Sequence, residues 1–115
     1  MADDQLFTRF GKEFKAGTVL FRDGETGREM YVVQSGRVAI TKRVGDVEKI
    51  LSTLGPGEFL GEMAILNNKP RSATATCAVD CKLLQVDAKT FEAMVRSSGE
   101  IALRMIKKLA ERLQE

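Results

Sequence analysis

Apolar residues recur in short alternating runs along most of the chain and at helical spacing towards its end. Leu6, Phe7 and Phe10 share one side of an opening helix expected over 1–12. From residue 13 the pattern becomes brief β-like runs cut by glycine turns. Thr18-Val19-Leu20-Phe21 is ended by Asp23-Gly24, and Met30-Tyr31-Val32-Val33-Gln34 turns at Ser35-Gly36 into Arg37–Lys42. Val38 and Ile40 alternate with polar neighbours there, as one wet face requires. Gly45-Asp46 predicts a hairpin into Glu48–Leu54, with Ile50 and Leu54 facing one way, and Gly55-Pro56-Gly57 marks a strong turn. Ala73–Cys77 alternates again, and Lys82-Leu83-Leu84-Gln85-Val86 is the last run of this kind. Asp87 suits an N-cap before a helix over 88–96; Ser97-Ser98-Gly99 interrupts, and a second helix begins at Glu100. The fold class expected is therefore mainly β with flanking helices: a double-sheet roll or jelly roll over 13–86, closed by helices over 87–115.

The final helix carries Ala102, Ile106, Leu109 and Leu113 in one stripe and Ile101 and Met105 in a second beside it. One stripe suffices to pack a helix on its own domain. Two predict either a broad core face or pairing with a second copy, and homodimerisation through this helix is an expectation.

At 115 residues the chain is a single domain spanning 1–115, with 43% hydrophobic and 30% charged residues, ordinary values for a globular protein. The net charge of +2 is spread along the sequence, so no footprint for direct nucleic-acid binding is seen. No apolar run reaches bilayer-crossing length, and the acidic start Met1-Ala2-Asp3-Asp4 is unlike a signal peptide, so a cytoplasmic protein without a membrane partner is expected. Histidine is absent, which removes the usual general base and the commonest metal ligand. Cys77 and Cys81 are too few for a zinc site without histidine, and are expected to be two small buried thiols on adjoining strands. No metal, cofactor or catalytic constellation is expected.

Candidate chemistry is concentrated in 59–75, from Phe59 to Ala75. There Gly61 and Glu62 open a short helix, and Arg71 and Ser72 follow Pro70. An arginine can hold a phosphate with two parallel N–H donors, which lysine cannot match. Backbone amides around Gly61, Glu62, Met63 and Ala64 at a helix start add unpaired donors, Gly61 permits close approach, and Ser72 adds a hydroxyl. A carboxylate at Glu62 would repel a phosphate unless something donates to it, and a ribose 2′-hydroxyl is such a donor. Acid and base together suit a ribonucleotide with a singly charged cyclic phosphate. A plain Glu62–Arg71 salt bridge is the simpler alternative, but it leaves the flanking Gly61 and Ser72-Ala73 unexplained.

From about Phe14 to Glu115 the chain resembles the cyclic nucleotide-binding domain family of catabolite-activator-type regulators, cyclic-nucleotide-dependent kinases and gated channels. One family signature is matched by Gly24-Glu25, Gly27, Met30-Tyr31-Val32-Val33 and Gly36, the other by Leu60–Ile65 followed by Arg71-Ser72-Ala73. The resemblance implies a β-roll (a double-stranded β-helix) with Glu62 on the ribose 2′-OH and Arg71 on the cyclic phosphate. It implies further contacts from Gly61, Met63, Ala64, Ser72 and Ala73, a C-terminal helix that closes over the ligand, and Arg112 approaching the sugar-phosphate region. Similarity to the bacterial branch favours cAMP over cGMP as the ligand. The expected function is a cyclic-nucleotide sensor that signals through its C-terminal helix to an unidentified downstream protein. The rival is an interaction domain of the same fold that binds no cyclic nucleotide. No residues remain for a helix-turn-helix domain, so the chain is either free-standing or cut from a longer regulator, and the Met1-Ala2 start favours the former.

Overall fold

Four consecutive apolar residues in an extended strand leave no face for water, so Met30-Tyr31-Val32-Val33 demands a sheet covered on both sides. A computed structural model of the chain describes residues 9–113, with side chains as far as residue 111. Its elements in chain order are β1 (Gly11–Phe14), β2 (Val19–Phe21), β3 (Glu29–Ser35), β4 (Val38–Val44), β5 (Val47–Leu54), β6 (Phe59–Leu60), α1 (Glu62–Leu66), β7 (Thr74–Cys77), β8 (Cys81–Asp87), α2 (Ala88–Ser97) and α3 (Gly99–Leu113). The strands form two four-stranded antiparallel sheets, ordered β1-β8-β3-β6 and β2-β7-β4-β5.

β3 has both faces covered. Tyr31 and Val33 point between the sheets and meet Val38, Leu60, Ala75, Cys77, Cys81 and Leu83. Met30 points outward with Phe59, Val86 and Phe91, and Val32, Met94, Met105 and Leu109 pack on that second cluster. The helices α2 and α3 thus supply the second cover that the apolar quartet requires. Burying each large side chain of this kind contributes about 1.5–3 kcal/mol.

Local chemistry sets the helix ends. Asp87 caps α2 from extended backbone, its carboxylate accepting from the Thr90 N–H at 2.8 Å. That bond holds the Asp87 carboxyl below its ordinary range. Ser98 separates the two helices by serving both: its N–H donates to Met94 O at 3.1 Å, and its Oγ accepts from the Ile101 N–H at 3.2 Å. One residue makes the break, and Gly99 is already helical.

Three expectations need correction. The opening helix does not run to residue 12. Arg9 and Phe10 are helical, but Gly11 and Lys12 pair with Leu84 and Leu83 in β1; residues 1–8, with Leu6 and Phe7, lie outside the described residues. A four-residue strand with polar Lys12 and Glu13 at its centre offers too little alternation to be read. Ile50 and Leu54 do not share a buried side: Leu54 packs on the inner cluster, while Ile50 is 70% exposed, and the register shift between the Ile40–Ser52 and Thr41–Ile50 pairs interrupts the alternation that would have put them on one face. The stripe Ala102–Ile106–Leu109 is split as well. α3 packs through Met105 and Leu109, and leaves Leu103 and Ile106 uncovered; the side chain of Leu113 is outside the described residues. The two cysteines behave as expected: both are buried free thiols on successive strands, although β7 and β8 belong to opposite sheets.

Candidate ligand-binding cavity

Arg71 is one of two buried charged residues among those described. The residue is 7% exposed, and its guanidinium is hydrogen-bonded to main-chain carbonyls. Nη1 donates to Gly61 O at 3.0 Å and Nη2 to Glu29 O at 2.7 Å. The guanidinium carbon stands 4.2 Å from the centre of the Phe21 ring, within cation–π range. Nε is buried and has no hydrogen-bond partner. Burial draws the Arg71 pKa below its ordinary value, opposed first by Tyr31 and then by Glu29, Glu25 and Glu62.

Glycine is required where the guanidinium lies. Gly61 precedes α1 with φ 82, and a Cβ there would come within 2.7 Å of Arg71 Nη1. This one position therefore needs both a left-handed backbone and an absent side chain. It opens α1, whose first residue, Glu62, is 5% exposed and directed into the same site as Arg71. The first N–H groups of so short a helix have no intrahelical acceptor.

These parts line one cavity of about 480 Å³. Gly61, Glu62, Met63, Ala64, Arg71, Ser72 and Ala73, the seven site positions from the 59–75 segment, all belong to its wall. Phe21, Ile40 and Ser52–Leu54 complete the wall from the second sheet, and Lys108 and Glu111 reach it from α3. The α3 pair is within ion-pair range of each other at 3.8 Å. Lys42 steadies the loop after Arg71 by donating to Ser72 O at 2.9 Å, while pairing with Asp23 at 3.5 Å. The eighth expected residue, Arg112, lies in α3, but its side chain is outside the described residues.

A salt bridge between Glu62 and Arg71 is thus not what holds the arginine. Sequence reasoning found the acid, the base and the loop between them, because they fall within one short segment. It missed Phe21, Ser52, Thr53, Lys108 and Glu111, which are ordinary strand or helix positions until the fold brings them together. Phe21 was readable as the end of a short β-like run, but nothing in the pattern indicated packing against a cation.

The chain belongs to the cyclic nucleotide-binding domain family, whose profile matches residues 11–98. It is 35% identical over 103 residues to the cyclic AMP receptor protein of Thermus thermophilus, covering 89% of this chain and 48% of that protein. The solved catabolite activator protein of T. thermophilus superposes with TM-score 0.83 at 32% identity, over 97% of this chain and 54% of that one. The regulatory domain of Toxoplasma gondii PKA, crystallised with cAMP, gives TM-score 0.69 at 34% identity, over 79% of this chain and 37% of that one. The chain spans about half the length of the curated relatives it matches. The mainly β fold with flanking helices is the β-roll of these proteins.

Proposed function

We propose that this member of the cyclic nucleotide-binding domain family binds one cyclic mononucleotide, cAMP in preference to cGMP, and acts as a sensor without catalytic activity. The observation that carries the reading is a buried arginine, its Nε without a hydrogen-bond partner, lining the same cavity as a buried glutamate. A positive charge held in a low-dielectric site is costly, and a ligand oxyanion relieves that cost with a charge-assisted hydrogen bond. Arg71 takes the cyclic phosphate, helped by the amides of Gly61–Ala64 and by Ser72. Glu62 accepts from the ribose 2′-hydroxyl. Met63 and Ala73 add contact. The preference for cAMP is supported by the cAMP-associated relatives named above, and a cavity of about 480 Å³ suits a mononucleotide better than a cyclic dinucleotide.

Occupancy is transmitted by α3. Lys108 and Glu111 put this helix on the cavity wall, and Arg112 follows on the same turn. A ligand that draws these side chains inward biases the position of the whole helix, which a downstream protein can read. We place this sensor in the cytoplasm. Among the described residues, no helix is long and apolar enough to cross a membrane.

Thermal unfolding with ligand tests the reading. A nucleotide that binds only the folded protein adds about 2.7 kcal/mol of stability at a hundredfold excess over Kd. The expected order is cAMP above cGMP, with 5′-AMP and a cyclic dinucleotide far below. Arg71→Ala should abolish the cAMP shift. Glu62→Gln should weaken cAMP by about 10- to 100-fold while narrowing the gap between cAMP and 2′-deoxy-cAMP, because only the ribose contact is altered. Absence of any shift with cAMP and cGMP at millimolar concentration would leave the interaction domain as the better account.

A further inference from the structure

The loop between β2 and β3 encloses Arg71 along its length. Gly24 N–H donates to Arg71 O at 2.7 Å, and Arg71 N–H donates to Glu25 O at 2.8 Å. Glu29 O accepts from Nη2 at 2.7 Å. Between these contacts Gly27 lies flat against the guanidinium. A Cβ at Gly27 would stand 2.2 Å from Nη2, 2.4 Å from Nε and 2.5 Å from Cζ, all far inside van der Waals contact. Gly27 is not among the glycines with positive φ, so its backbone could carry an alanine. What the site requires of this residue is empty space.

Arg71 has little freedom to yield. Its main chain is pinned by Gly24 and Glu25, and Nη1 is held by Gly61 O, at a residue that itself tolerates no side chain facing the same fork. A methyl group at 27 must therefore displace the guanidinium as a unit, breaking the Nη2 bond to Glu29 O and moving Nε from its place.

We propose that Gly27 is a positioning residue for the ligand anion: its missing side chain sets the depth and tilt of Arg71, so the Gly24–Glu29 loop governs anion affinity without touching the ligand. This rests on the reading of Arg71 as the anion-binding residue.

The test is a double-mutant cycle with two readouts. By calorimetry, Gly27→Ala should weaken cAMP by about tenfold or more, the cost of a displaced charged hydrogen bond. Gly55→Ala serves as control, since a Cβ there meets nothing within 4 Å and its φ is not positive; it should bind as the parent does. Without ligand, Gly27→Ala should lower Tm by about 5 °C or more in the Arg71 protein. With Arg71→Ala the same change should cost no more than about 1 °C, because the atoms it meets are gone. Arg71→Lys, which lacks the fork, is the second background if Arg71→Ala does not fold. If Gly27→Ala unfolds the parent but not the Arg71→Lys protein, the proposal stands. Equal costs in all backgrounds, or a Gly27→Ala protein with the affinity and Tm of the parent, would overturn it. A parent that binds no cAMP defeats the functional reading alone, since the ligand-free cycle still decides whether Gly27 acts through Arg71.

Discussion

Arg71 and Cys77 show what burial does to two kinds of ionisable side chain. Arg71 stays charged because carbonyls and neighbouring acids compensate it, although its buried Nε has no hydrogen-bond partner. Cys77 has no such help: burial, and then the adjacent Cys81, push its thiol up to about 12. The folded protein therefore holds that proton at pH values where the unfolded chain has released it. The resulting stability is fully present below the ordinary thiol pKa and is lost as pH rises towards about 12. Urea unfolding at about pH 8 and about pH 10 should show the parent losing about 1 kcal/mol that Cys77→Ala does not lose. Equal losses in the two proteins would mean that the thiol titrates freely. Tyr31 is also raised, by burial first and Glu29 next, so a smaller alkaline loss should persist in the variant. At this scale the sequence was readable for Glu62 and Arg71, since an acid, a base and flanking glycine and serine in one segment have few other uses. Gly27 was visible as part of a signature, but its purpose was not, because the guanidinium it accommodates is supplied by a residue far along the chain.

Strands and helices divide by how completely they are covered. β3 and β8 are largely buried on both faces, and the unbroken apolar quartet of β3 requires it. β1 and β6 were not legible as separate strands: two to four residues cannot display a period, and only their pairing with β8 and β3 defines them. Both C-terminal helices were legible, and their starts to within a residue, because Asp87 and Ser98 act through local hydrogen bonds. Which face of α3 packs was not. Ile101, Met105 and Leu109 form one row and Leu103 and Ile106 another, and periodicity alone cannot choose between two apolar rows. No described side chain of α3 is fully buried. Its local opening should therefore cost less than opening of the β-roll. Amide exchange should be faster throughout α3 than in β3 and β8. Met105→Ala, removing a half-buried anchor, should cost about 1–2 kcal/mol, below the range for a fully buried methionine, and should speed exchange in α3 alone. Uniform acceleration across the sheets would instead make α3 an integral part of the core.

At the scale of the whole molecule, what stands out is apolar surface left open. Leu103 and Ile106 are 52% and 62% exposed on α3, and Val44, Val47, Ile50 and Leu51 are exposed along the β4–β5 hairpin. Scattered exposed residues need no explanation, but a row one helical turn apart on the element proposed to carry the signal does. Pairing of α3 with its counterpart in a second copy would cover that row while leaving Met105 and Leu109 on their own sheet, so folding and association need not compete for the same side chains. The two-stripe pattern of the sequence acquires a division of labour on this reading, although the boundary between the stripes differs from the one periodicity suggested. Sedimentation equilibrium should find the parent associating with itself. Leu103→Asp with Ile106→Asp should raise the dissociation constant by about tenfold or more, the loss expected when central apolar contacts are removed from an interface. Because neither side chain lines the cavity, the double variant should keep its cAMP-induced thermal shift. A variant that sediments like the parent would show that the row serves something other than self-association. A variant that loses the shift together with the dimer would mean that the site itself depends on the second copy.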